Sequence, residues 1–129
     1  MTPGRRIDYL NLAEALAIVE HHRWRVNDLG LLDQSIQRPQ AVVFDTELYP
    51  HLHAKAAALI DSINRLHPLV DGNKRLSWLA AIIFYRKNDV RIDADVDDAE
   101  EFVLAVAGTH LPLETIAAWF AEHVATQPR

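Results

Sequence analysis

Apolar residues recur every three or four positions along most of the chain, which is the spacing of amphipathic helices. The first such stripe, formed by Leu12, Ala15, Leu16 and Val19, predicts a helix over about residues 11–22. The same spacing predicts helices over about residues 51–66 and 73–87. It also predicts a helix that carries Ala99, Phe102, Val103 and Val106 and ends near Gly108. A last helix is predicted to carry Ile116, Trp119, Phe120 and His123 and to have Pro112 in its first turn. A shorter helix is expected to begin at a capping Asp28 and to stop before Pro39.

One stretch breaks the helical pattern. AVVFDTELYP, residues 41–50, is rich in β-branched and aromatic residues and closes at Pro50, so we expect a short hairpin or an irregular flap. VRI, residues 90–92, is expected to form a brief extended piece. Together these patterns predict a compact all-α fold with one flap or hairpin near residues 40–50, organised as a single domain over residues 1–129.

The helix over residues 73–87 comes with a predicted buried face. Leu76, Leu79, Ala80, Ile83 and Lys87 share one side of this helix, so its Leu and Ile side chains are expected to face the core.

Composition narrows the functional classes. The 129 residues carry 18 acidic against 13 basic side chains, a formal charge of −5, which argues against a general nucleic-acid binder. Cysteine is absent, which excludes a disulfide framework and a thiolate zinc site. No apolar run resembles a signal peptide or spans a bilayer, so we expect a soluble, cytoplasmic protein with no membrane partner.

The stretch HPLVDGNKR, residues 67–75, carries the densest chemistry in the chain. It joins the end of one predicted helix to the start of the next, and a helix start attracts anions through its unpaired N–H groups. Gly72 lets the backbone approach a phosphate closely, while Lys74 and Arg75 add cationic donors. Such a turn is typical of a phosphate-binding site.

Two further residues of the same turn suit chemistry on that phosphate. Asp71 is a hard oxygen ligand, and Mg²⁺ is usually held by one or two carboxylates together with substrate phosphates. His67 is a candidate general base because histidine titrates near neutral pH. These residues indicate phosphoryl or nucleotidyl transfer from a nucleoside triphosphate, and the chain has no P-loop motif.

The longer stretch HPLVDGNKRLSW resembles the Fic/Doc motif, usually written H-P-F-x-D/E-G-N-G-R-x-x-R. The matching positions are His67, Pro68, Asp71, Gly72, Asn73 and Arg75. The chain departs from the motif at Leu69, Lys74 and Trp78, and Asn-Lys-Arg in place of Asn-Gly-Arg is the pattern of the Doc branch, the "death on curing" toxins. DLGLLDQSIQRPQ, residues 28–40, also looks like the Doc segment before the flap, so the resemblance covers at least residues 28–88.

The resemblance implies an activity and a set of site residues. Fic proteins transfer AMP from ATP to a protein hydroxyl, whereas Doc toxins are kinases that move the γ-phosphate of ATP to a threonine of elongation factor Tu. His67 would then be the catalytic base, Asp71 would hold Mg²⁺, and phosphate would be bound by Gly72, Asn73, Lys74 and Arg75. Lys74 takes space that glycine would leave for phosphates, and Trp78 cannot grip a further phosphate as arginine would. Both departures favour phosphate transfer over AMP transfer.

Regulation and partners also follow from the resemblance. Many Fic proteins carry an inhibitory helix with the pattern S/T-x-x-x-E, and no Ser or Thr here has Glu four residues later. We therefore expect a separate Phd-like antitoxin to inhibit the protein. The flap around residues 40–50 is expected to align the target chain by strand-like pairing.

Several alternatives stay open at this stage. The loop could be an ordinary capped turn between helices, and the protein could be a Fic-type AMP transferase or an inactive module that binds only a nucleotide or a partner. His21-His22 and His51-x-His53 could suggest a metal site, but surface histidines are favoured because no third ligand is near. Trp78 could belong to the core or line the nucleotide site. The acidic run DADVDDAEE, residues 93–101, is expected to be a solvated helix start.

Overall fold

The computed structural model describes residues 6–126. Within them, the helices are α1 (Leu12–His21), α2 (Leu29–Gln37), α3 (Leu52–Leu66), α4 (Asn73–Lys87), α5 (Val96–Thr109) and α6 (Leu113–Glu122). A single 3-10 turn, Arg38–Gln40, continues α2, and a two-stranded antiparallel hairpin follows it, with β1 at Val42–Val43 and β2 at Thr46–Glu47. The predicted all-α fold with a hairpin near residues 40–50 is confirmed. No helix among the described residues is both long and apolar enough to cross a bilayer.

Helix α3 forms the centre of the fold. Every residue from Lys55 to Asn64 is buried, which an ordinary surface helix with one apolar stripe would not show. It packs against α2, α4, α5 and α6, and its small alanines at 56–58 let those helices approach closely. Because α3 ends at the HPLVDGNKR loop, the best-packed element of the fold holds one end of that loop.

Side-chain caps set three of the helix starts. Asn11 and Glu14 form a reciprocal capping box at the start of α1. Asp28 caps α2 as predicted, by accepting a 3.1 Å hydrogen bond from the Leu31 N–H. Asp95 caps α5 in the same way, so the acidic run over residues 93–101 is the exposed start of a helix.

The buried face of α4 agrees only in part with the prediction. Leu76 and Ala80 are fully buried, as predicted. Leu79 and Ile83 are only half-buried, and the most buried side also includes Ser77, Phe84 and Tyr85. The predicted stripe is rotated because α4 packs mainly on α3, with α1 and α5 on its flanks, so the helix is covered over more than one stripe.

The ends of α5 and α6 lie close to their predicted positions. Helix α5 ends near Gly108, as predicted: it runs to Thr109, and His110 then takes a left-handed conformation with φ 52°. Pro112 lies just before α6, as its cap residue, and not in the first turn. The extended piece within residues 90–92 is short: Ile92 pairs with Val124 as an isolated antiparallel bridge.

The hairpin projects from the helices on a fixed base. Its two-residue turn, Phe44-Asp45, has positive φ at both positions (50° and 63°), the hallmark of the tight turn that joins twisted strands. At the base, the Lys55 ammonium lies 2.6 Å from a Glu47 carboxylate oxygen, although Lys55 is only 1% exposed. Phe44 at the tip is 96% exposed. The ion pair between Lys55 and Glu47 therefore fixes the base of the hairpin to α3, while its apolar tip is exposed to solvent.

Candidate active site

His67 closes α3 in an unusual backbone conformation. Its φ of 49° and ψ of 58° are left-handed, and its N–H donates to the Ile63 carbonyl at 3.2 Å, which ends the helix. Positive φ is uncommon for a residue other than glycine. The turn leaves the His67 side chain exposed at the rim of the loop.

Asn73, the first residue of α4, holds the loop from within. Its Oδ1 accepts from the Leu69 N–H at 2.9 Å, and its Nδ2 donates to the Leu69 carbonyl at 3.0 Å. The same Nδ2 lies 3.5 Å from His67 Nδ1, a long contact that places the imidazole beside α4 without fixing which ring nitrogen carries the proton. Because the side chain of Asn73 is nearly buried and already paired, what it can offer a phosphate is its backbone N–H.

The start of α4 is open to an anion. Gly72 precedes the helix with φ 88°, and no side chain caps this end, so the first N–H groups of α4 have no capping acceptor. Asp71, Lys74 and Arg75 are exposed around it and form no ion pair with other residues in the range 6–126. Free cations beside an uncapped helix start form a site where a phosphate would be stabilised.

A distant segment supports the loop through its backbone. Residues 24–28, between α1 and α2, run alongside it: Val26 pairs with Leu69 as an antiparallel bridge, and the Asn27 N–H donates to the Pro68 carbonyl at 2.8 Å. Nothing in the local sequence indicates this pairing, which joins positions more than forty residues apart.

Trp24 belongs to the same supporting segment and lies against the glycine of the loop. A Cβ built on Gly72 would fall 2.6 Å from Trp24 Cδ2. The other contacts of the indole are also close: His22 stacks on it with ring centroids 4.4 Å apart, and the Arg75 guanidinium lies 5.9 Å from its ring centre. Trp24 thus contacts both the backbone and a cation of the loop, although the sequence had given it no role.

A buried hydrogen-bond chain ties the first turn of α4 to α3. Asn64 Nδ2 donates to Ser77 Oγ at 2.8 Å, and Ser77 Oγ donates to the Lys74 carbonyl at 2.7 Å. Asn64 and Ser77 are both almost fully buried, so this chain is shielded from water. The sequence did not indicate a role for either residue, because polar residues in a predicted helix are normally expected to face solvent.

A groove of about 630 Å³ opens beside the cationic turn. Its lining comes from the start of α4, the segment before α5, and α5 itself: Lys74, Arg75, Trp78, Leu79, Ala94, Val96, Ala99, Glu100, Val103 and Leu104. The lining is mostly apolar and carries two cations from the start of α4 and one carboxylate, that of Glu100. A phosphorylated molecule with an apolar ring would match the apolar surface and the cations of such a groove.

Trp78 takes both of the roles that the sequence left open. Its ring is stacked with Phe120 at 6.4 Å between centroids and meets Trp119 edge-on at 6.0 Å, so one side belongs to the core. The same residue lines the groove beside Lys74.

The other histidine pairs do not assemble a metal site with other side chains. Among residues 6–126, no group of three or more His, Asp or Glu side chains is placed to hold a metal ion. His21 and His51 are exposed, as expected, but His22 and His53 are half-buried. His22 Nδ1 lies 2.9 Å from the Ile18 carbonyl, and His53 Nδ1 lies 2.6 Å from the Tyr85 hydroxyl. His53 is therefore part of the packing between α3 and α4 and is not a plain surface residue.

Comparison with known proteins identifies the family of this chain. The model of the Fic/DOC family matches residues 7–85, which include α3, the loop and most of α4. A curated protein named Toxin Doc, from Mycolicibacterium smegmatis, is 48% identical over 99 residues, covering 75% of this chain and 76% of that protein. The match includes more than half of the chain and the whole loop, and the chain therefore belongs to the Fic/DOC family.

Proposed function

We propose that this protein is a toxin of the Doc type, a protein kinase that transfers the γ-phosphate of ATP to a serine or threonine hydroxyl of a translation factor. The observation that carries the proposal is the position of His67 within 3.5 Å of Asn73, at the uncapped, cation-flanked start of α4. A candidate base and an anion site are thus adjacent. The similarity to a protein named Toxin Doc supports the toxin assignment.

In the proposed reaction, a phosphate bound at the start of α4 is attacked by a hydroxyl next to His67. The bond between the hydroxyl oxygen and the γ-phosphorus forms while the bond from that phosphorus to the β–γ bridging oxygen breaks. ADP leaves with the electron pair, and His67 takes the hydroxyl proton. The N–H groups after Gly72, together with Lys74 and Arg75, stabilise the charge on the transferring phosphoryl group, which is the main source of rate in this chemistry.

The residues present fit one Mg²⁺ bound jointly with the nucleotide. Asp71 is exposed beside the helix start and makes no ion pair with any residue in the range 6–126, so its carboxylate is free to bind a cation. A single protein carboxylate plus phosphate oxygens is a common magnesium environment, and when bound the ion would neutralise phosphate charge. ATP would extend along the groove beside Lys74.

Two residues favour phosphate transfer over AMP transfer. Trp78 packs against Phe120 and Trp119, so the position at which the broader motif has an arginine carries no phosphate ligand. Lys74 adds a cation at the groove mouth where that motif has glycine. A nucleotide oriented with its terminal phosphate nearest His67 suits this arrangement.

The proposed partners follow from the same family. Elongation factor Tu is the proposed protein substrate, its phosphorylation would stop translation in the cytoplasm, and a Phd-like antitoxin would inhibit the toxin. The exposed hairpin, with Phe44 at its tip, is the proposed surface that aligns the substrate chain.

Labelled ATP tests the reaction directly. The protein is incubated with Mg²⁺ and a bacterial lysate, using ATP labelled at either the α- or the γ-phosphate. We expect γ-label on one translation factor, and at least about 100-fold slower labelling with a His67→Asn variant. Label from the α-phosphate would replace the proposal by AMP transfer, and no label at either position would reduce the protein to a binding module.

A further inference from the structure

A second cleft, of about 870 Å³, lies next to the catalytic turn and has no part in the chemistry described above. It is bounded by the end of α2, the 3-10 turn, the last two turns of α3 and the loop between α5 and α6. Its lining includes Gln34, Arg38, Gln40, Asp61, Arg65 and Leu66. Leucines and a proline form the apolar part, while amides and guanidinium groups form the polar part.

Two arginines in this cleft share one buried carboxylate. Asp61 is 3% exposed and accepts from Arg38 Nη1 at 2.8 Å and from Arg65 Nε at 3.0 Å. Arg38 is fixed further by hydrogen bonds to Tyr49 and Ser62, at 2.9 and 3.0 Å. Both guanidinium groups are thus held in place by their neighbours and lose little freedom on binding a ligand.

The guanidinium groups keep donors for a ligand. The side chain of Arg65 is 48% exposed, and within residues 6–126 only its Nε is hydrogen-bonded, which leaves both terminal nitrogens free. The charged side chains of the lining are these two arginines against the single carboxylate of Asp61, in a chain whose formal charge is −5. A fork of fixed guanidinium donors in an otherwise acidic protein is complementary to carboxylates.

The cleft connects the hairpin to the catalytic base. Gln40 and Ala41 lead directly into β1, and Arg65 and Leu66 directly precede His67. A protein segment that contacts both the hairpin and His67 therefore contacts two elements whose neighbouring residues line this cleft. Because the lining adjoins both the hairpin and the catalytic base, we infer that the occupant is the protein substrate and not another acidic molecule.

We propose that this cleft binds an acidic side chain of the protein substrate, flanked by apolar residues, close in sequence to the hydroxyl that is phosphorylated. The inference rests on the proposed function for the identity of the occupant. It predicts that acceptor hydroxyls lie near a glutamate or aspartate, with Arg65 as the specificity-determining residue.

Peptide binding without nucleotide tests the cleft separately from catalysis. The probes are two fluorescein-labelled synthetic peptides containing a threonine, leucines and either glutamates or, at the same positions, glutamines. Fluorescence anisotropy should show the glutamate peptide binding about tenfold more tightly, the effect of one charge-assisted hydrogen-bond pair. Arg65→Gln should remove this preference, whereas Arg86→Gln, which removes one exposed charge at the far end of α4, should keep it.

A gain-of-binding variant guards against misfolding as an explanation. Gln34→Lys adds a cation to the lining and should strengthen binding of the glutamate peptide, which a damaged fold would not do. Equal affinity for the two peptides, or the same loss with Arg65→Gln and Arg86→Gln, would overturn the proposal.

Transfer is then measured on the same peptides with γ-labelled ATP. A preference for the glutamate peptide in kcat/KM that Arg65→Gln removes supports the substrate assignment. Binding preference with no transfer to any protein or peptide would refute the kinase function and leave the acidic-segment cleft standing. Transfer that shows no preference between the two peptides would support the kinase function and refute the proposed role of the cleft.

Discussion

The indole of Trp24 lies so close to Gly72 that a single added methyl group at Gly72 would overlap it, at 2.6 Å from Cδ2. Gly72 also has φ 88°, a left-handed backbone conformation that residues with a Cβ rarely adopt. Two independent constraints therefore require glycine at the start of the anion-binding helix.

Gly72→Ala should accordingly destabilise the protein by about 2 kcal/mol or more, combining left-handed strain with overpacking. Transfer of γ-phosphate should fall further than stability does, because the displaced backbone is the part that faces the phosphate. Urea unfolding and a γ-label assay measure the two effects.

Gly108→Ala is the matched control, since Gly108 lies within α5 with no atom near its would-be Cβ. It should stabilise the protein by about 0.5–1 kcal/mol. In a Trp24→Ala background, Gly72→Ala should cost less than in the wild type, because the overlap has been removed. Strictly additive costs would show that Trp24 is not what constrains Gly72.

Asn73→Ala should cost about 2 kcal/mol, because it leaves both backbone groups of Leu69 without their partner. The same variant should lower transfer, since His67 loses the contact that places it beside α4. Asn27→Ala serves as the control: its side chain is exposed and should change the free energy of unfolding by less than about 0.5 kcal/mol. If the two variants unfolded at the same urea concentration, the hydrogen bonds between the Asn73 amide and Leu69 would not contribute to the stability of the fold.

Gly72 and Asn73 show which features of the site could be predicted from the sequence and which could not. The helices and the hairpin followed from local spacing, and the chemistry of residues 67–75 followed from one contiguous motif. The contact of Trp24 with Gly72 joins positions far apart in the chain, so no local pattern could indicate it. Asn73 was predicted as a phosphate ligand, yet its buried amide is used by the loop itself, because a single sequence does not distinguish a side chain that binds a ligand from one that shapes the site.

His67→Asn should reduce transfer by about 10²- to 10⁴-fold, the usual contribution of a general base. Asparagine tolerates the left-handed conformation of this position, so unfolding should be unchanged. His51→Asn makes the same replacement at the exposed start of α3 and should keep full transfer. Retained transfer in the His67 variant would remove this residue from the chemistry.

Asp71→Asn should leave stability within about 0.5 kcal/mol, since the carboxylate is exposed and makes no ion pair with residues 6–126. Transfer should fall, and the Mg²⁺ concentration needed for half-maximal transfer should rise several-fold, because one of the few ligands to the ion has lost its charge. Asp93→Asn, an exposed change in the α4–α5 loop, should alter neither quantity. An unchanged Mg²⁺ requirement would show that Asp71 does not bind the ion.

The stability of the fold should depend on pH through His53. Burial lowers the pKa of His53, whose ring lies 2.6 Å from the Tyr85 hydroxyl, and burial also raises the pKa of Tyr85, so that this hydroxyl stays protonated. In the unfolded chain the pKa of histidine is about 6.5, so the unfolded chain binds the proton more readily than the folded chain does. Stability is therefore complete above about pH 6.5 and is lost as the pH falls through the lower pKa of the folded state.

His53→Gln keeps a polar group near Tyr85 but removes the titration. Between about pH 7.5 and pH 5, the wild type should lose more free energy of unfolding than this variant does, as measured by urea unfolding at each pH. The pH range ends at about pH 5 so that Glu14 does not contribute. The hydrogen bond from Lys87 holds the pKa of Glu14 below its usual value. Protonation of this carboxylate therefore lowers the free energy of unfolding as well, but only at lower pH. Parallel curves for the two proteins across this range would exclude His53 as the source of the pH dependence.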